Sequence, residues 1–238
     1  MQQLRGVDPM MYVRALGLLV RNPAIAVVPL LMGLAGVVLT LVLALAANGP
    51  LGQLTVSLGQ FAVLLMNLFG FGAATIMGDQ AWRRGRTSFD DGWADARRKA
   101  GDILMASFGF TFVLYIARLV GAIFGPFGVL LIAAAVVFLI YTIPAAAIGG
   151  VPGGAALQVS IERARANPLP TIIVAIVSLV AYFILGLAFS PLFTLLAGQL
   201  GESIFSTVLG SIVQAIGIAY IALVVGKTYT DVSLGSRY

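Results

Sequence analysis

An all-α, polytopic transmembrane bundle of about six helices is the architecture this 238-residue chain predicts, and three features carry the expectation. First, 60% of the residues are hydrophobic and only 10% charged, with a mean hydropathy of +1.04. A soluble domain carries about 25% charged residues, and a disordered chain needs the opposite balance of apolar and charged side chains. Second, apolar stretches of roughly the 20 residues that cross a bilayer recur along the whole length. Third, the basic residues gather between alternate stretches, on one side of the bundle.

In chain order, Asp8-Pro9 is a helix start, because Asp caps free backbone N–H groups and Pro suits the first helical turn. Met10 to Val20 then places Arg14, Gly17 and Arg21 on one strip with apolar residues elsewhere, the pattern of a helix lying on a membrane surface. Asn22-Pro23 breaks it, and span one follows from Ala24 to about Ala47, with a kink expected at Pro29. Ala44-Leu45-Ala46 resembles a cleavage site, but the run is too long for a signal-peptide core, so the segment is expected to stay. Asn48-Gly49-Pro50 is a turn, and span two covers about Leu54 to Met77.

The most polar part, Asp79 to Asp102, opens with Arg83, Arg84 and Arg86. Ser88 with Asp91 forms a capping-box variant for a second surface helix, whose apolar face is Phe89, Trp93, Ala96 and Ala100. Asp90 and Asp91 at its start, and Arg97, Arg98 and Lys99 at its end, complement the helix dipole. Span three covers about Ile103 to Val120, and span four about Val129 to Ile148. A glycine-rich breaker at 149–154 precedes a third surface helix, Ala155 to Ala166, with Glu162, Arg163 and Arg165. Asn167-Pro168 ends it; span five covers about Leu169 to Phe189, and span six about Val208 to Val225. Between them, Ser190-Pro191 is able to start an apolar helix that lies flat, re-enters the membrane or docks a neighbour. The chain thus reads as one integral membrane domain, 1–238, with a surface helix and two spans recurring in the segments 8–78, 88–148 and 155–226.

Charge placement sets the orientation. All basic residues except Arg118 fall on one side of a six-span layout, so the positive-inside rule puts both termini in the cytoplasm. The basic balance, net +5, therefore fits anionic lipid at the cytoplasmic leaflet rather than nucleic acid. The residues expected at that surface are Arg14, Arg21, Arg83, Arg84, Trp93, Arg97, Arg98, Lys99, Arg163 and Arg165. On the opposite side, Arg118 either snorkels alone to the headgroups or pairs with Glu202.

Chemistry is sparse. With neither His nor Cys, the chain lacks the commonest general base, proton shuttle and metal ligands, and no cofactor or metal is expected. Gly226-Lys227-Thr228 ends like a phosphate-binding loop, but Ile221 stands where that loop needs glycine. Gly70-Phe71-Gly72 lacks a third glycine and is expected to serve close helix packing. No charged residue lies near the middle of a span, which counts against an ion-coupled carrier. The intramembrane polar groups are amides: Gln53, Gln60 and Asn67, spaced by seven along one stripe of span two, and Gln214 in span six. Such amides either hydrogen-bond between helices or line a polar path.

The surface helix, the Asn-Pro break and the stretch Gly85-Arg86-Thr87-Ser88-Phe89-Asp90-Asp91-Gly92-Trp93 resemble a group of bacterial six-span proteins. That group includes the membrane domain attached to some glycerophosphodiester phosphodiesterases and the YciC-like inner-membrane proteins. The resemblance implies a bacterial cytoplasmic (inner) membrane; the group's catalytic domain has no counterpart here, so no enzymatic activity is carried over. The expected function is that of a non-enzymatic accessory subunit, scaffold or lipid-organising factor, with a permease or channel for a small neutral or amphiphilic solute as the alternative. Expected partners are anionic lipids, with another membrane protein or a second copy of the chain left open.

Overall fold

The computed structural model describes residues 8–46, 52–200 and 204–235. Among these it is all-helical, in the order α1 (Pro9–Arg21), α2 (Ala24–Ala46), α3 (Gly52–Arg84), α4 (Phe89–Arg98), α5 (Ala100–Ile123), α6 (Gly128–Leu139), α7 (Thr142–Ala147), α8 (Ala156–Ala166), α9 (Pro168–Leu200) and α10 (Ile204–Gly235). Six segments are long and apolar enough to cross a membrane: Ala24–Leu43, Leu54–Arg84, Ala100–Ile123, Gly125–Ala147, Pro168–Leu185 and Val208–Leu234. The protein is a multi-pass membrane protein of the expected class.

The helix starts follow local chemistry. Asp8 Oδ1 accepts from the Met10 N–H at 2.9 Å, and Ser88 Oγ accepts from the Asp91 N–H at 3.2 Å. Asn22 and Asn167 share one backbone conformation, φ −130 ψ 66 and φ −134 ψ 64, and each side-chain Nδ2 donates to the carbonyl four residues back. The following proline disfavours the helical region for both residues, and each ends its helix there. The middle junction differs: Lys99, φ −100 ψ 8, joins α4 to α5 with a mere bend.

Three boundaries depart from the expectation. Span four is broken into α6 and α7, because Pro144 has no N–H to give to the carbonyl of Ile140. Ser160 of α8 enters the gap: its Oγ accepts from the Tyr141 N–H at 3.1 Å and donates to the Phe138 carbonyl at 2.8 Å. Irregular backbone inside a bilayer is tolerated where protein satisfies it, and Ser160 does so here. Next, α9 runs through Ser190-Pro191 as one helix, instead of ending near Phe189 with a new helix beyond. Finally, α3 and α10 extend past the apolar stretch on the basic side, to Arg84 and Gly235.

Burial is uneven along the spans. The contiguous core joins Ile25 and Val28 at the start of α2, Met77 and Ala81 near the end of α3, Ile103 at the start of α5, all of α7, and Leu223 to Val232 near the end of α10. All of these lie toward the basic side. Toward the other side the faces are apolar and exposed, as at Leu41, Leu58, Tyr115, Leu119, Val129 and Phe183. In lipid such faces cost nothing, and helices approach only where small side chains permit. The backbone at Gly70 lies so near Pro29 Cα that an added Cβ would stand 3.1 Å from it; at Gly72 a Cβ would meet Ile103 Cγ2 at 2.7 Å.

Asn22 also ties the first helix pair to the α3–α4 loop. Its Oδ1 accepts from the Thr87 N–H at 2.9 Å, and its Nδ2 reaches the Gly85 carbonyl at 3.4 Å. Replacing Asn22, 4% exposed, by Ala removes these bonds and strands the Thr87 donor. Asn22→Ala is expected to lower stability by about 1–3 kcal/mol. Asn167→Ala, which loses only a local 3.3 Å bond, should cost less. Thermal unfolding of both variants in detergent checks the order.

Candidate functional site

The surface helices divide their apolar faces differently. On α1, Met11 and Ala15 are buried; the helix packs on α10, and the Tyr220 hydroxyl donates to the Tyr12 carbonyl at 3.4 Å. A second apolar face, Met10, Val13, Leu16 and Val20, is left exposed, up to 82% at Val20, alongside exposed Arg14 and Arg21. The helix thus spends one face on the protein and leaves a second, apolar and flanked by cations, at the surface.

The α4 helix, expected on the membrane, turns its apolar face into the protein. Phe89 stacks on Trp93 with centroids 6.3 Å apart, Trp93 meets Phe69 edge-on at 6.2 Å, and Gly92 lies directly against Met77. Trp82 is also engaged, its indole N–H donating to the Leu223 carbonyl at 3.1 Å. The α8 helix does likewise through a small-residue stripe, Ala156, Ser160 and Ala164, leaving Gln158, Glu162 and Arg165 outward.

The expected surface cations are therefore not equivalent. Arg97 sits 5.9 Å over the Trp93 ring, and Arg98 pairs with Asp95. Asp95 also accepts from Gln80 at 3.0 Å, and Gln80 accepts from the Thr87 hydroxyl at 2.7 Å, which joins α4 to the loop that Asn22 holds. Arg83 pairs with Asp79 at 2.9 Å and, with Arg163, borders a cleft of about 280 Å³. Arg84 lies beside another cleft, of about 360 Å³, whose lining includes Asp91. The Lys99 ammonium instead donates to the Ala147 carbonyl at 2.6 Å, closing the last turn of α7. Arg165 rests 6.0 Å over the ring of Phe138.

Of the outer-face residues, Arg118 is exposed near the end of α5; Glu202 lies outside the described residues. So does the side chain of Gln53. Gln60 and Gln214 are exposed, and Asn67 Oδ1 is buried with no hydrogen-bond partner among the described residues. Lys227 pairs with Asp231 inside α10, and no loop wraps it.

Sequence reading missed an apolar chamber of about 310 Å³ among the spans, open on one side at Leu179 and Tyr182. Phe71 of α3, Phe110 of α5, Val136 and Leu139 of α6, Ser178 of α9 and Ile221 of α10 all contribute to its wall. These five helices touch in a ring, most thinly where α6 meets α9. Ser178 and Tyr182 are the polar residues in the lining, and Ser178 Oγ is buried with no hydrogen-bond partner among the described residues. Gln214 precedes Ile221 by seven residues, two helical turns, and so sits on the chamber-facing stripe of α10 about 10 Å farther from the basic side. With a wall of hydrocarbon groups and two hydroxyls, the chamber is suited to binding rather than to acid–base work. The one sequence signal near it is Pro144, which breaks the span that forms part of its floor.

No family model, curated protein or solved structure matches the chain. The resemblance thus rests on the surface helix, the Asn-Pro break and the stretch from Gly85 to Trp93 alone.

Because Lys99 holds α7, Lys99→Gln is expected to cost about 1.5–3 kcal/mol, the range for a hydrogen bond from a charged donor. Arg97→Gln and Arg98→Gln should each cost at most about 1 kcal/mol, as exposed cation–π and ion-pair contacts do. Thermal melts of the three purified variants compare them.

Proposed function

We propose that this chain is a non-enzymatic membrane protein that gathers anionic lipid on its basic side, as a scaffold or accessory subunit of a bacterial cytoplasmic membrane. The observation that carries the reading is α1, which spends one face on α10 and keeps Met10, Val13, Leu16 and Val20 exposed beside Arg14 and Arg21. A helix so divided serves two surfaces, a protein on one side and a lipid interface on the other. Exposed Arg97 and Arg165 extend the same cationic rim across α4 and α8. Each such cation contributes roughly 1 kcal/mol near an anionic membrane, so the rim gathers lipid by number rather than by a single strong contact.

The permease reading draws on the exposed Gln60 and Gln214 and on the buried Asn67 Oδ1, which has no partner among the described residues. The two readings differ in what the amides do. Gln60→Leu and Gln214→Leu should leave lipid retention unchanged, and abolish flux only if a polar path exists.

Combining Arg14→Gln, Arg21→Gln and Arg97→Gln removes three exposed cations and spares Lys99. Native mass spectrometry of protein extracted with lipid should show retention of the anionic shell falling about fivefold per neutralised charge. An unchanged shell of anionic lipid would sink the proposal.

A further inference from the structure

The chamber and Arg165 together describe more than a diffuse lipid shell. We infer that they form one seat for an anionic phospholipid, with an acyl chain entering the chamber between α6 and α9 and the phosphate resting on Arg165. The inference rests on the lipid-gathering reading above and adds a defined site to it.

Four observations converge. The lining is apolar save for Ser178 and Tyr182, and the chamber lies within the spans, where the surrounding solvent is hydrocarbon. Its volume, about 310 Å³, is at the low end of the roughly 300–1,000 Å³ of small-ligand sites, room for part of one chain rather than a whole lipid. The wall is thinnest between α6 and α9, and the lining residues Leu179 and Tyr182 on α9 are 58% and 60% exposed, so a chain can enter sideways from the bilayer.

The fourth observation supplies the headgroup. The α8 helix packs against both α6 and α9, and its exposed Arg165 is held over the Phe138 ring, on α6 beside the lining residue Leu139. The guanidinium therefore lies against α6 next to the lining, where α8 covers the α6–α9 pair. From the start of α9 at Pro168 to the lining residue Ala175 is about 10 Å along the helix, a spacing compatible with a phosphate at the surface and its chain inside. A zwitterionic or neutral lipid would fill the chamber equally well but gain less at Arg165.

The same geometry separates an acyl chain from a polar solute. A chain makes no use of the Ser178 hydroxyl, whereas a hydrogen-bonding solute would depend on it.

Phosphatidylglycerol carrying a diazirine on one acyl chain, added to the wild-type protein and irradiated, is expected to label residues 136–143 and 175–182. Label confined to other segments would overturn the seat, and this measurement needs no variant to fold. In native mass spectrometry, one phosphatidylglycerol should outlast the loosely held shell. Ala175→Phe should remove that molecule alone, and Arg165→Gln should erase its roughly fivefold preference over phosphatidylcholine. Ser178→Ala should change neither. Retention of the tight lipid by Ala175→Phe, an intact preference in Arg165→Gln, or loss of the lipid in Ser178→Ala would each contradict the inference. Failure of the lipid-gathering reading is distinguishable, because the variant lacking Arg14, Arg21 and Arg97 alters the loose shell and not this molecule.

Discussion

Hydrocarbon gives an apolar helix face nothing to escape from, so spans in a bilayer stay together only where backbones approach closely or polar groups bind one another. In this protein both conditions are met toward the basic side. Small residues let α3 approach α2, α5 and α10, at Gly70, Gly72 and Gly78, and α10 approach α3 at Gly226. Directly beneath, Asn22, Thr87, Gln80 and Asp95 form a chain of three hydrogen bonds that links the α1–α2 junction and the α3–α4 loop to α3 and α4. Farther from that side the spans turn more apolar side chains outward, and close approaches continue at Gly36 against Val63 and at Gly121 against Gly128, with Phe61 edge-on to Phe108.

One consequence is an interior of a particular kind. Five helices that touch in a ring border a space open on one side, and its walls are whatever the spans carry there: Phe71, Phe110, Leu139 and Ile221. The break in span four deepens it. Pro144 forces α6 to end at Leu139, Ser160 satisfies the backbone so exposed, and the fully buried α7 continues beneath as a floor. Lys99 then closes α7 from below. A proline, a serine and a lysine from three separate segments thus break, satisfy and close the backbone of one span.

The class of fold, the six spans and the caps at Asp8 and Ser88 were legible in the sequence because composition, length and local backbone chemistry determine them. The faces of α4 and α8 were not. Phe89, Trp93 and Ala96 form an apolar stripe whether the stripe meets lipid or Met77, and helical periodicity does not distinguish these partners. Lys99 at a helix terminus read as a surface cation for the same reason, since the carbonyl it serves, that of Ala147, lies 48 residues away. The chamber was invisible because its lining is apolar residues spread over spans that all look alike, and only the hydroxyls of Ser178 and Tyr182 depart from that background. Continuity of α9 across Ser190-Pro191 was likewise hidden by a dipeptide that more often begins a helix than lies within one.

The central claim is that the interior of this bundle belongs to lipid rather than to water. The chain contains no native cysteine, so a single spin label at Ser178→Cys, in the chamber wall, reports its surroundings without interference. Collision rates measured in phosphatidylglycerol-containing vesicles with oxygen, which partitions into hydrocarbon, and with a water-soluble nickel chelate then decide the matter. The account predicts rapid collision with oxygen and exclusion of the chelate. Ready access by the chelate would mean an aqueous path through the spans, and would contradict it.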